Sequence, residues 1–333
     1  MALPKRIALT PVAMNGTCGE VIEIAKQAEA LGYDDLWFAD TGYPDVLTMA
    51  ALVATHTNNV RLGIAVVPAY TRTPAVLANT AATINELASG RFVLGLGSSS
   101  QTMMEGWHGV AFERPLTRVR ETTELIRSMI AGEKSDFSGK TLRSHGYRQK
   151  PAEHAQKIYL AGLRPKMVEM AAAVGDGVIL NLFPREALPR IMQHIAIGAK
   201  KAGKNPADVD VVCRYQVAVT DDVDAHREMF RQNYVPYFAT PVYNEYLSWA
   251  GYPEVAQVIR EGWAAKDRDK TRAAISDDLV DAIGIIGSKE YCQQRIRDDA
   301  ALGINVPIIT LASPDAATRQ ATLETFSKEQ FEF

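Results

Sequence analysis

The chain has 333 residues, 47% of them hydrophobic and 23% charged, with a formal net charge of −3. That length suits either two ordinary domains or one large barrel, with ample chain to bury a core. The near-balanced charge offers no basic surface for nucleic acid, no acidic tail and no membrane-binding face.

Short apolar strands alternate with longer amphipathic helices. Ile7-Ala8-Leu9-Thr10 reads as the first strand, followed by a Gly-rich loop. Val21 to Leu31 carries apolar residues at helical spacing, and Gly32 stops it. Leu36 to Ala39 is the second strand and Val46 to Thr55 its helix. Val60 to Val67 is the third strand, and Thr73-Pro74 opens the next helix, where proline's missing N–H costs nothing. Phe92 to Gly97 is the fourth strand, with a helix at Pro115 to Ile130 and a polar, Gly-containing hairpin excursion at Asp136 to Gln149. Ile158 to Ala161, Gly177 to Asn181, Val209 to Val219 and Val306 to Leu311 are strands five to eight. Helices follow at Pro165 to Val174, Ala187 to Ala202 and Asp315 to Lys328.

Eight strands each followed by a helix imply a parallel sheet, and at this length a closed (β/α)8 TIM barrel is favoured over an open doubly wound sheet. Apolar runs without strict alternation suit strands buried on both faces. No Pro/Gly/Ser-rich linker divides the chain, so residues 1–333 are expected to form one domain. About ninety residues separate strands seven and eight, more than one helix needs. Asp222 to Ala239 and Pro253 to Lys266 look helical there, with Tyr234, Tyr237, Phe238, Tyr243, Tyr246 and Trp249 in and between them. This segment, within 220–300, is expected as an extra helical insertion at the carboxyl face, either walling a substrate pocket or serving as a packing excursion.

Barrel chemistry sits just past the strand ends. Strand four ends in Gly95-Leu96-Gly97-Ser98-Ser99-Ser100, where small residues admit a planar ligand or simply make a tight rim. Strand five ends in Ala161-Gly162-Leu163-Arg164 before Pro165: a helix start that favours phosphate, or an ordinary turn with a surface arginine. Asp40, at the end of strand two, is either a ligand-positioning carboxylate or a loop hydrogen-bond acceptor. Glu105, Trp107 and His108 lie in the loop after strand four. His108 is a candidate acid because histidine titrates near neutrality, or a bystander.

The sequence holds no HExxH, no GxxxxGK[ST], no metal-spaced cluster, no GxSxG elbow and no GxGxxG. Cys18, Cys213 and Cys292 form no pair, and their sparse count fits a reducing compartment. Met1 to Arg6 shows no signal-peptide pattern, and no apolar run reaches the ~18 residues of a membrane span. A soluble, cytoplasmic protein is expected.

Nearly the whole chain resembles the luciferase-like monooxygenase superfamily, and most closely its deazaflavin (coenzyme F420)-dependent branch, which includes methylenetetrahydromethanopterin reductase. The resemblance is carried by Ala28 to Trp37, Arg61 to Val66, Tyr70 to Pro74, Ser89 to Phe92 with Gly95 to Ser99, Glu105 to Gly109, Ile158 to Gly162 and Gly175 to Asn181. It implies a flavin-type ring across the barrel mouth. Gly63, Ile64 and Ala65 would press on that ring through a bulge with a non-prolyl cis peptide. Gly95, Gly97, Ser98 and Ser99 would face the ring and ribityl chain, Ala161, Gly162, Leu163 and Arg164 would receive the phosphate, and Asp40 would lie near the cofactor. The branch's sugar-phosphate dehydrogenases carry a base and an acid where this chain has Thr41 and Ser100. Hydride transfer with a small-molecule substrate is therefore expected, with Asp40, His108 or solvent handling the proton. The alternatives are a reduced-FMN monooxygenase and a cofactor-binding protein without turnover. The resemblance also implies a homodimer, for which Met49, Val53, Val76 and Leu77 offer a symmetric apolar patch.

Overall fold

In the computed structural model, which describes residues 3–11 and 17–333, eight parallel strands close into a barrel. The expected Gly-rich loop falls mainly on residues 12–16, outside the described residues, as do Met1 and Ala2. The strands in chain order are β1 (Ala8–Thr10), β2 (Asp35–Phe38), β3 (Arg61–Ile64), β4 (Val67–Pro68), β5 (Phe92–Gly97), β6 (Asp136–Ser138) and β7 (Arg143–His145). They continue with β8 (Lys157–Ala161), β9 (Gly177–Asn181), β10 (Asp210–Val219), β11 (Ile285–Gly287) and β12 (Val306–Leu311). The ring runs β1, β2, β3, β5, β8, β9, β10, β12 and back to β1. The expected hairpin excursion is the antiparallel β6–β7 pair.

Alternation along each strand sorts two apolar layers. Leu9, Leu36, Leu62, Leu94, Leu160 and Val211 point outward into the layer shared with the helices. Ala8, Trp37, Val93, Tyr159, Ile179, Val212 and Ile308 point into the lumen. Both faces are therefore dry, which is why the strands read as near-continuous apolar runs. Met49, Val53 and Leu77 belong to the outer layer at 2%, 0% and 0% exposure, so they cover the barrel and cannot form the surface patch expected for a dimer. Val76, at 50%, is exposed.

The amino-terminal end of the barrel is plugged by charge. Arg61 donates to Asp35 (Nη2 to Oδ2, 2.5 Å), Arg6 pairs with Asp210, and the Tyr159 hydroxyl donates to Asp210 at 2.6 Å. Burial and the neighbouring Asp210 push the Tyr159 phenol upward, so it stays a donor. Two buried carboxylates persist here because each meets a guanidinium. The opposite, carboxyl end is left for chemistry.

The insertion is richer than expected. Helices span Val223–Phe238, Pro241–Trp249, Pro253–Ala264, Arg268–Ala273 and Asp277–Ile283 before β11 and the helix Lys289–Ala301. The three unforeseen helices before β11 have six to nine residues, too short for periodicity to declare. Phe230, Phe238, Leu247, Ile259 and Leu279 form their own cluster, which packs on Leu182, Ala218 and Ile286 at the carboxyl ends of β9, β10 and β11. Among the described residues no helix is long and apolar enough to cross a membrane.

Candidate active site

The carboxyl mouth is shaped first by an interruption of the third barrel strand. Pairing with β2 covers Arg61–Ile64, pairing with β5 covers Leu62 and Gly63 and resumes at Val67–Pro68, and the Ala65–Val66 peptide between them is cis. The neighbours supply the space. A Cβ on Gly95 would lie 1.6 Å from the Ile64 carbonyl oxygen, and one on Gly97 would lie 2.5 Å from Val66 Cγ2. Gly63 gives the same room to the Trp37 indole, at 2.5 Å. The glycines of β5, expected to admit a ligand, thus admit the bulge itself. The bulge in turn presents Ala65 and Val66, half-buried beside Ala161, as a small apolar patch facing the mouth.

Asp40 follows β2 and is held by a residue that sequence reasoning did not single out. Arg72 Nη1 donates to Asp40 Oδ2 at 3.0 Å, and its Nη2 reaches Asp45. Burial works against the Arg72 charge, but the bonds to Asp40 and Asp45 outweigh it and hold the guanidinium protonated. Asp40 is therefore an oriented acceptor, and among the described residues its Oδ1 takes no hydrogen bond. Arg72 lay inside the Tyr70 to Pro74 motif, whose single charge was the available signal.

The serines after β5 serve mainly local geometry. Ser99 adopts a left-handed backbone (φ 61°), and Ser98 Oγ donates to the Ser99 carbonyl. Ser100 caps an unforeseen short helix, Gln101–Gly106, through Met103 N at 3.4 Å. Glu105 lies in that helix rather than in a loop and accepts from Gln101 and from Phe112 N. His108 is exposed in the turn beyond, next to Trp107, itself 64% exposed. Among the described residues the His108 ring has no hydrogen-bond partner.

Past β8, Gly162 packs against the first turn of helix Pro165–Val174, where a Cβ would meet Val168 N at 2.9 Å. No side chain caps this helix, in contrast to the helices capped by Thr17, Asp45 and Thr73. Pro165 has no N–H and the Met167 and Val168 N–H groups bond the Arg164 carbonyl, so among the described residues the Lys166 N–H is left without an acceptor, a condition that favours an anion at this helix start. Arg164 at the N-cap reaches away to Glu245 of the insertion in an exposed ion pair.

Sequence reasoning missed a third group. In β10, Asp210, Val212, Arg214 and Gln216 share the lumen face while Val211, Cys213, Tyr215 and Val217 face outward. Arg214 is in register with Asn181, and Gln216 with Thr310. Two polar residues spaced by two in an apolar strand were the signal. Two surface hollows, of ≈470 Å³ beside Arg231 and Asp277 and ≈260 Å³ beside His154 and Ile158, open away from this mouth.

Comparison with known proteins agrees with this architecture. The luciferase-like monooxygenase family model matches residues 1–306, and the chain belongs to that family. A 5,10-methylenetetrahydromethanopterin reductase of Methanolobus tindarius is 30% identical over 313 residues, covering 93% of this chain and 95% of that protein. A putative coenzyme F420-dependent oxidoreductase of Mycobacterium tuberculosis is 26% identical, covering 90% and 93%. The solved coenzyme F420-dependent tetrahydromethanopterin reductase of Methanopyrus kandleri superposes with a TM-score of 0.82 over 98% of both chains at 20% identity, a likeness of fold.

Proposed function

We propose that this member of the luciferase-like family is an oxidoreductase that uses the deazaflavin coenzyme F420 for hydride transfer to or from a small organic substrate. The observation that carries the reading is the end-to-end similarity to proteins named as reductases and as an F420-dependent oxidoreductase. The mouth fits such a cofactor on its own terms. Ala65, Val66 and Ala161 give a half-open apolar surface of small side chains suited to a planar ring. The uncapped helix start past Ala161 to Arg164 suits a phosphate. Ala65 would meet the ring from the bulge, with Gly63 and Ile64 supporting it from the paired strand beneath. Ser98 and Ser99 would flank it, with Gly95 and Gly97 acting by making the bulge possible.

When bound, the deazaflavin supplies or accepts the hydride. The chain's own contribution is alignment and exclusion of water. Asp40, oriented by Arg72, offers Oδ1 as an acceptor for a substrate hydroxyl or N–H proton. The tyrosines of the insertion, Tyr234 and Tyr243, are half-buried over the same end of the barrel and would limit water there. The described cysteines are all free, in keeping with a cytoplasmic enzyme, and a homodimer remains part of the proposal.

Fluorescence titration of purified protein with coenzyme F420 and with FMN tests the reading. Micromolar or tighter F420 binding, followed by oxidation of the reduced coenzyme in the presence of an acceptor from a substrate screen, is expected. Tight FMN binding without F420 binding overturns it in favour of a monooxygenase, and F420 binding without turnover in favour of a carrier.

A further inference from the structure

The lumen face of β10 carries a guanidinium that meets no carboxylate among the described residues. Among the described residues Arg214 makes no ion pair, and its buried Nε has no hydrogen-bond partner. Beside it, Asn181 Oδ1 and Gln216 Nε2 are also buried and unpaired, and Gln216 is only 3% exposed. An unpaired buried amide or guanidinium group costs roughly 1–3 kcal/mol, so three together at one barrel end call for a ligand. The placement agrees. Arg214 is level with Asn181, the last residue of β9, and Gln216 with Thr310, whose hydroxyl reaches Thr10 at the end of β1.

The roof over this set is neutral and aromatic. Asn181 Nδ2 donates to the Tyr243 hydroxyl at 3.4 Å, and Arg214 is close enough to act electrostatically on both Tyr234 and Tyr243. Burial pushes the Tyr234 phenol up to about 12, so it does not ionise to neutralise Arg214. The rings of Tyr234, Tyr237 and Tyr243 follow one another at 5.8 and 5.9 Å between centroids. The plug at the far end of the barrel shows the contrast: there Arg6 and Arg61 each meet a carboxylate.

We propose that Arg214, flanked by Gln216 and Asn181 beneath the tyrosines, is the substrate-anchoring site, and that it takes a small planar molecule bearing a carboxylate or equivalent oxyanion. Guanidinium and carboxylate match as a charge-assisted pair, Gln216 Nε2 adds a donor to the anion, and Asn181 Oδ1 accepts from a substrate N–H or O–H. The tyrosine faces cover the planar body. The site deepens the oxidoreductase reading, since it rests on the substrate entering the same mouth and fixes which end of the substrate points into the barrel.

Benzoate and its neutral isostere benzamide serve as probes, titrated by calorimetry into cofactor-free protein. Benzoate is expected to bind about tenfold more tightly than benzamide. Arg214→Gln, shown folded by circular dichroism, should abolish that preference, and Arg214→Lys should keep part of it. Coenzyme F420 affinity of Arg214→Gln should stay within about twofold of the parent. Equal affinity of the parent protein for the two probes, a result that needs no variant, overturns the proposal. So does a preference that survives Arg214→Gln. A parallel loss of F420 affinity in that variant would assign Arg214 to the cofactor's own anionic groups and overturn the substrate assignment. A parent that prefers benzoate yet binds no F420 would sink the cofactor reading and leave this site standing.

Discussion

The Ile64 carbonyl oxygen occupies the space a side chain on Gly95 would need: a Cβ there would sit 1.6 Å from it. Both partners are backbone, so no rotamer change relieves the contact, and β3 or β5 has to move. Gly95→Ala is therefore expected to lose about 3 kcal/mol in denaturant unfolding and to weaken F420 binding by disturbing the bulge. Gly106→Ala is the control. Nothing lies within 4 Å of its Cβ position, so it should stay within about 0.5 kcal/mol of the parent. Parent-like stability of Gly95→Ala would contradict the close approach of β3 to β5.

The barrel was legible because its strands are dry on both sides and its helices are not. Phe92–Gly97, Gly177–Asn181 and Val306–Leu311 were read with the bounds they have. The mouth was less legible. Val60 to Val67 reads as one apolar strand, since nothing local marks the break after Ile64. The cause lies in Gly95 and Gly97, thirty residues away in sequence and adjacent only in the fold. Asp40 was found by its position after a strand, but Arg72 comes from the next strand's loop, so the pair is invisible before closure. Arg214 and Gln216 interrupt the strand at Val209 to Val219, and their neighbours across the lumen, Asn181 and Thr310, become visible only once the barrel closes.

Glu121 gives the hairpin excursion a pH-dependent anchor. Its buried carboxylate accepts from Lys140 N at 2.7 Å, Thr141 N at 2.9 Å and Thr141 Oγ1 at 2.6 Å. Burial opposes its charge, but these bonds outweigh burial and lower its pKa below the ordinary 4.5. A lowered folded pKa means the contribution is complete above that value and is lost as pH falls through the folded one. Glu121→Gln should cost about 2 kcal/mol at neutral pH, with the gap to the parent closing as pH drops below 4.5. Urea unfolding of both proteins across that range checks it. A gap independent of pH would show that the carboxylate charge is not what holds Lys140 and Thr141.

Lys166 offers a test of the phosphate position that leaves the fold intact. Any side chain at Gly162 would strike Val168, so substitution there confuses binding with folding. Lys166 is exposed at the second position of the uncapped helix. Lys166→Glu places a negative charge at the positive helix end, which should raise stability by about 0.5 kcal/mol. The same charge should repel a phosphate at that end and weaken F420 binding about three- to tenfold at low ionic strength, less at high salt. The opposite signs separate the two effects. Unchanged F420 affinity at low salt would place the phosphate elsewhere.

Asp40 and His108 are the candidate proton-handling groups, and the structure sets them apart. Asp40 sits on a strand end, oriented by Arg72 at 3.0 Å, with Oδ1 unengaged among the described residues. His108 is exposed in a turn and among the described residues has no partner to orient its ring. A positioned acid or base contributes about 10²–10⁴-fold in rate, and positioning is what His108 lacks. Asp40→Asn keeps the shape and removes the charge, while Arg72 retains Asp45 as an anion, so the loop has no reason to unfold. Single-turnover oxidation of reduced F420, followed by absorbance with an acceptor from the screen, should slow at least about tenfold in Asp40→Asn. F420 affinity should change by no more than about twofold, and His108→Phe should change the rate by less than about threefold. If Asp40→Asn turns over at the parent rate, solvent or the substrate exchanges the proton and Asp40 only holds Arg72. If His108→Phe proves the slower variant, the turn after Gly106 must close over the mouth during the reaction.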